Sequence, residues 1–221
     1  MLNRVLDLIA PEVCLECNNE GSVWCDPCRL QYEPLPSRCF ICHKQTKNYQ
    51  TCKNCYSKTR LRSVYIFGEY SGLNKNLIKA LKYGNKRHAS LPIAKAMAQT
   101  LPYFANLPTV VNVPTSPSRV RQRGFDHTQT LAKELAKHLG AKYQRLLVRN
   151  NDLRQVGANR KQRISQISGA FRLKTYLNTV PEHIILVDDV VTTGATISEA
   201  TRVLKQAGVK QVDALVFAYS K

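Results

Sequence analysis

Beyond residue 60 the chain alternates short apolar runs with amphipathic stretches, and two periods place its elements. Val64–Tyr70 sets Val64, Ile66 and Gly68 on one face at a period of two, which predicts a strand. Leu73, Leu77, Ile78 and Leu81 recur at helical spacing, and Gly84 ends the run. Leu91, Ala94, Ala96–Ala98 and Leu101 predict a second helix, closed before Pro102. Val110–Val113 is a β-branched run ending at Pro114, a buried-strand signal. Residues 115–125 are polar and basic without a period and read as a loop. Thr128–Leu139 is helical, with Leu131, Leu135 and Leu139 in line and Gly140 as terminator. Residues 143–148 and 170–173 read as strands, separated by a basic loop or loose helix. A strand over His183–Val187, a helix over 195–207 and a strand over 211–217 complete the order. Strands that alternate with helices and are wholly apolar predict a parallel α/β sheet flanked by helices.

Residues 1–60 follow a different logic. The first ten form a short amphipathic helix, with Val5, Leu6, Leu8 and Ile9 inward; Arg4 and Asp7 interrupt the apolar run and exclude a secretion signal. No stretch approaches the roughly 18 apolar residues of a membrane span, so the expected compartment is the cytoplasm. All eight cysteines lie in residues 14–55, as the C-x-x-C pairs Cys14/Cys17, Cys25/Cys28, Cys39/Cys42 and Cys52/Cys55. A reducing compartment argues against disulfides, whereas two such pairs complete a tetrahedral four-thiolate zinc site. Four pairs make two structural sites with no open position for water. Sequential pairing is the simplest scheme, and a cross-braced one is equally compatible with the spacing. His43, beside Cys42, reads as a surface residue. With few large apolar side chains (Trp24, Phe40, Leu30, Leu35), metal binding would supply most of the module's folding energy. The chain therefore divides into a double zinc-ribbon module, 1–60, and an α/β domain, 61–221.

Composition changes the picture in one respect. Lys and Arg number 33 against 15 acidic residues, a formal charge of +18. Eight thiolates around two Zn²⁺ would lower it by 4, to about +14. Residues 110–175 hold 14 basic and 3 acidic side chains, net +11, whereas 176–221 are net −1. The excess lies mid-chain rather than on a tail, and such a field favours polyanions: nucleic acid, phosphorylated substrates or acidic lipid. Solubility is the plainer use of the same charge.

The chemistry concentrates in Ile184–Ile197, I-I-L-V-D-D-V-V-T-T-G-A-T-I. Ile184–Val187 is a buried strand with Asp188 and Asp189 at its carboxyl end, where open α/β sheets bind ligands. Val190, Val191, Thr192, Thr193 and Gly194 form a turn, and Ala195 and Thr196 begin a helix whose free N–H groups face that turn. Backbone donors, helix dipole and threonine hydroxyls together make an anion cradle. Two adjacent carboxylates beside it suit a sugar diol and can orient Mg²⁺, directly or through water.

This string resembles the phosphoribosyl-pyrophosphate (PRPP) motif of type I phosphoribosyltransferases. There the acidic pair holds the ribose hydroxyls and the threonine loop the 5-phosphate. The resemblance runs along the chain: four C-x-x-C knuckles, A-L-K-Y-G at 80–84, V-N-V-P at 111–114, R-x-R-x-R-G-F at 119–125, Q-V-G at 155–157, R-x-x-R at 160–163 and G-A-F at 169–171. That order is similar to the ComF family, amidophosphoribosyltransferase-like proteins of bacterial competence related to the GntX group. The resemblance implies a pyrophosphate-side loop around Pro114, Thr115 and Ser116, and a phosphate-facing Lys82. It implies ligand contacts for Arg119, Arg121 and Arg123, and a mobile loop over Gln155–Arg163 with Arg160 and Arg163 facing phosphate or nucleic acid. The chain departs from the family at Asp126 and Gln166, where Asn is usual, which puts role transfer in doubt there. Three arginines at i, i+2, i+4 have no helix-face logic and suit an extended loop aimed at phosphates. His127 and His138 read as helix-surface residues, and Tyr83 as a packing residue.

Two functions compete. One is a competence protein of DNA uptake that binds PRPP and single-stranded DNA; the resemblance implies a DNA-translocating helicase as its partner. The other is an active phosphoribosyltransferase using Mg²⁺–PRPP and an unknown acceptor, with Asp188 and Asp189 as catalytic residues. No acceptor-specific base is visible, and no aromatic residue interleaves with the basic stretch to stack on bases.

Overall fold

The computed structural model describes residues 11–83, 87–150, 169–174 and 179–220. The amphipathic start of the chain, the Gly84 terminator, Arg160, Arg163, the Gln155–Arg163 loop and Gln166 lie outside them.

Two short helices, α1 (Asp26–Arg29) and α2 (Lys53–Thr59), precede β1 (Val64–Glu69), α3 (Gly72–Tyr83) and α4 (Ser90–Ala98). Then follow β2 (Thr109–Asn112), α5 (Pro117–Arg123), α6 (His127–Leu139), β3 (Leu147–Arg149) and β4 (Phe171–Leu173). The last elements are β5 (His183–Val191), α7 (Ala195–Gln206) and β6 (Gln211–Tyr219). Strands β1-β6-β5-β2 form a parallel sheet. The fold is thus the expected parallel sheet flanked by helices, with cysteine clusters at the N-terminal end. β3 and β4 correct the expectation in part: they pair antiparallel, apart from the main sheet.

Because side chains alternate along a strand, the sheet has two cores. Tyr65, Phe67, Val110, Ile185, Val187, Leu215 and Phe217 face α3, α4 and α6. Val64, Ile66, Val111, Ile184, Leu186, Ala214 and Val216 face α7, through Ile197, Ala200 and Leu204. β5 is also longer than predicted. It stays paired with β6 through Val191, so Val190 and Val191 belong to the strand and not to the turn.

The cysteine module wraps the β1 edge. Leu35 N–H donates to Phe67 O at 2.8 Å, and Val64 N–H to Tyr49 O at 3.0 Å, satisfying strand groups that would otherwise be an open edge. Trp24, fully buried, meets Phe67 and Phe217 edge-on in one core, while Phe40 joins the other. The module therefore borrows the sheet's two faces in place of a core of its own. Among the described residues no helix is long and apolar enough to cross a membrane.

Candidate functional site

The eight cysteines gather as Cys14, Cys17, Cys25 and Cys28, and as Cys39, Cys42, Cys52 and Cys55, the sulfurs of each set within 4.8 Å of one another. The pairing is the sequential one. Each cluster joins a knuckle to the start of a short helix, α1 or α2. In each knuckle the residue after the second cysteine, Asn18 or His43, takes positive φ and returns its N–H to the first cysteine's carbonyl. Burial pushes the Cys14 thiol up, but backbone N–H groups of Cys17, Cys25 and Glu16 outweigh it and bring it down to about 6. Cys39 falls to about 7 in the same way, through Cys42, Cys52 and Ile41. Four converging sulfurs fit a four-thiolate metal ion, with one thiol of each set favoured as thiolate, Cys28 pushed up by Cys25 and burial, and Cys55 pushed up by burial and the other sulfurs. His43 is exposed and takes no part; its Nε2 lies 3.1 Å from the Tyr219 hydroxyl.

The second centre lies where β5 ends. Asp188 and Asp189 are buried there, 8% and 6% exposed. Asp188 accepts from the Asp189 N–H at 2.9 Å. Lys82, at the end of α3, ion-pairs with Asp189. His127, at the start of α6, brings Nε2 to 3.5 Å from Asp189 Oδ1. Arg123 Nη1 lies 3.0 Å from His127 Nδ1. A guanidinium only donates, so Nδ1 accepts and Nε2 carries the ring proton towards Asp189. Arg123 also donates to the Tyr83 hydroxyl at 3.2 Å and lies over that ring.

These contacts separate the two carboxyls. Burial drives Asp188 well above the carboxylate range, and the Asp189 charge adds to it. Burial opposes ionisation of Asp189 too, but His127 and Lys82 outweigh it and hold the group well below that range. The two carboxyls are thus pushed in opposite directions, Asp188 towards its neutral form and Asp189 towards the anion.

Beyond β5, Gly194 caps α7 in the left-handed region, φ 75°, and Thr193 Oγ1 accepts from the Ala195 N–H at 3.3 Å. Gly194 contributes no capping side chain, and the first helical N–H groups face the loop of Thr192 and Thr193. A Cβ at Gly194 would lie 2.3 Å from Phe40 Cε2, so the second knuckle's ring rests directly on this turn. Thr115 Oγ1 lies 3.2 Å from His127 Nδ1, and Pro114 precedes this threonine after β2. Thr115 donates from N and Oγ1 to the two oxygens of Asp126, which also accepts from Thr128 and Gln129 as the cap of α6. Asp126 accepts at both oxygens, and an Asn there would set its amide against the Thr115 N–H donor.

Three readings from sequence are corrected here. Residues 117–123 are helical, not extended, so Arg119 and Arg123 share a face (i, i+4) and Arg121 does not. Arg119 and Arg121 are exposed; Arg123 turns inward to His127. His127 is no surface residue: it is 4% exposed and faces Asp189. His138 is exposed as expected, whereas Tyr83 is no packing residue: it is 67% exposed, with Arg123 on its face.

Residues 128–221 match the family model described as "Phosphoribosyl transferase domain". Along most of its length the chain is similar to "Competence protein F" of Haemophilus influenzae, 25% identical over 90% of this chain and 93% of that one. It is 27% identical to "Competence protein ComFC" of Streptococcus pneumoniae, over 88% and 86%. It is 28% identical to "DNA utilization protein YhgH" of Salmonella typhimurium, over 93% and 96%. The domain match starts after Lys82, Asp126 and His127; the full-length similarities span them.

Proposed function

We propose that this ComF-type chain, with its phosphoribosyl transferase domain, serves DNA uptake in natural transformation, holding PRPP at Asp188–Thr196 and single-stranded DNA on its basic face. The observation that carries the ligand is the meeting of Asp188, Asp189, Lys82 and His127 with the Gly194 turn at the start of α7. The turn suits a 5-phosphate, and the acidic pair suits a ribose diol. Asp189, held ionised, fits a hydroxyl donor or a cation such as Mg²⁺, which when bound would neutralise pyrophosphate charge. A diol or cation there competes with Lys82 and leaves its ammonium to a phosphate. Zinc in each cysteine cluster supports the structure, and residues 1–60 and 61–221 are its two domains.

The names of the full-length relatives support competence as the setting. The exposed Arg119 and Arg121, within a region of net +11, support a phosphate-backbone contact for single-stranded DNA. This reading places the chain in the cytoplasm beside a DNA-translocating helicase. One feature favours the second reading, an active transferase: two neighbouring buried carboxyls are pushed in opposite directions, Asp188 up by burial and Asp189 down by His127 and Lys82. Lys82 and Arg123 would then stabilise a departing pyrophosphate.

Calorimetry with Mg²⁺–PRPP tests the cradle: saturable heat is expected, lost in Asp189→Asn, and its absence from the native chain refutes PRPP binding. Oligo-dT binding tests the DNA arm. Affinity should fall steeply with salt, and the double-logarithmic slope should drop by about 1 for each of Arg119→Ala and Arg121→Ala. A flat salt response refutes it. Pyrophosphate release from PRPP with an added acceptor, abolished in Asp189→Asn, would select the transferase.

A further inference from the structure

The two ribbons of the cysteine module repeat one metal-binding pattern with opposite charge. Residues 11–33 hold five acidic side chains and one basic, net −4, whereas residues 34–62 hold seven basic and none acidic, net +7. Four thiolates around one Zn²⁺ would subtract 2 from each, which leaves the second ribbon at about +5. Partial cancellation hides this division from the composition of the module as a whole. In the second ribbon Lys44, Lys47, Lys53, Lys58 and Arg60 are exposed.

The basic charge is organised on α2. The inner side of that helix, Cys55 and Thr59, is buried. Lys53, Tyr56 and Arg60 recur at i, i+3 and i+7 on the opposite side, and all three are exposed. At 1.5 Å per residue the two cations stand about 10 Å apart along the helix, with the Tyr56 ring between them. α2 lies against α7. There burial, and then the Arg60 charge, push the Lys205 ammonium down against a weaker pull from Asp213. The positive surface thus runs from the module onto the α/β domain. Lys205 stands at the end of α7 remote from Gly194, roughly 16 Å of helix from the phosphate turn.

An exposed ring between cations suits a single strand: ammonium and guanidinium take phosphates, and the π-face takes an unpaired base. A duplex keeps its bases stacked and offers no such face. A lipid surface needs an apolar stripe, and Tyr56 is the one large apolar side chain exposed on α2. We propose that α2 of the second ribbon is a single-stranded DNA contact, with Tyr56 stacked on a base and Lys53 and Arg60 on the flanking phosphates. The acidic first ribbon repels the same backbone and confines the strand to this side of the module. The contact is separate from the carboxylate centre and from Arg119 and Arg121 of α5, and it rests on the single-strand reading above.

The test is the anisotropy of labelled oligo-dT on the full zinc-loaded chain across a salt series. Lys53→Ala and Arg60→Asn should each lower the double-logarithmic salt slope by roughly 0.7–1. Asn is chosen because Arg60 has φ 57°, a left-handed backbone that Asn tolerates. Tyr56→Ala should weaken binding about tenfold, the worth of one stacked base, at an unchanged slope. Tyr56→Phe should keep the native affinity. Zinc content and far-ultraviolet circular dichroism verify that the variants fold. A loss with the two cation variants but none with Tyr56→Ala marks a bare polyanion surface and overturns the proposal. Oligo-dT binding by the native chain that no α2 variant alters refutes this contact alone. A native chain without affinity for oligo-dT refutes the single-strand reading along with it.

Discussion

The contact between Phe40 and Gly194 joins the metal-binding module to the phosphate turn, and a double-mutant cycle can measure it. Gly194→Ala meets two obstacles. At φ 75° the left-handed backbone costs an L-residue roughly 1–2 kcal/mol. The new methyl would also lie 2.3, 3.1 and 3.3 Å from three atoms of the Phe40 ring. That ring is 3% exposed and rigid, so it cannot swing aside as a flexible side chain would. Overpacking of this kind costs about 1–3 kcal/mol more. Gly194→Ala should therefore cost about 2–5 kcal/mol in the native chain, the sum of the two ranges. Phe40→Ala alone should cost about 3–5 kcal/mol as a buried aromatic deletion. In the Phe40→Ala background the clash is gone, and Gly194→Ala should cost the backbone strain alone, about 1–2 kcal/mol.

Trp24 is the single tryptophan, fully buried between module and sheet, so its fluorescence follows urea unfolding of that junction. Midpoints are compared at constant m, in zinc-containing buffer. The expected coupling is about 1–3 kcal/mol, the overpacking range itself. Additivity within about 0.5 kcal/mol would show that the ring does not bear on the turn, and would refute the reasoning.

Two further expectations concern charge and metal. Asp189→Asn leaves Lys82 and His127 facing a neutral amide and should destabilise the chain by about 1–3 kcal/mol, whereas Asp188→Asn keeps the acceptor for the Asp189 N–H and should be nearly neutral. A raised carboxyl contributes stability below the ordinary carboxyl range that is lost as pH rises through its folded value, so the melting temperature of Asp188→Asn should fall less steeply with pH; an unchanged slope rules out the raised Asp188. Elemental analysis should give two zinc ions per chain, and a chelator should lower the melting temperature and abolish the Trp24 transition; zero or one zinc refutes the two-site assignment.

What the sequence revealed follows from how local each determinant is. β5 and β6 are covered on both faces, so they write continuous apolar runs that no tertiary knowledge is needed to read. The sequential cysteine grouping was one of two schemes that the spacing allowed, and only the folded module chose between them. α5 was missed because it has seven residues and buries none, so hydrophobic period had nothing to register. Its signal was punctuation instead, Pro117 at the first turn and Gly124 just past the end. His127 was misplaced for a different reason. It faces Asp189 of β5, distant in sequence, while its own neighbours Asp126 and Thr128 read as an ordinary polar helix start. The same holds for Phe40. Its knuckle repeats that of Leu15, and nothing local tells a ring that rests on a glycine from a side chain left in solvent. The charge state of Asp189 is the extreme case: burial alone would raise its carboxyl, and only Lys82 and His127, brought in by two separate helices, reverse the sign. The motif thus marks where two carboxylates stand, and Lys82 of α3 with His127 of α6, both brought to Asp189, decide which of them is favoured as the anion.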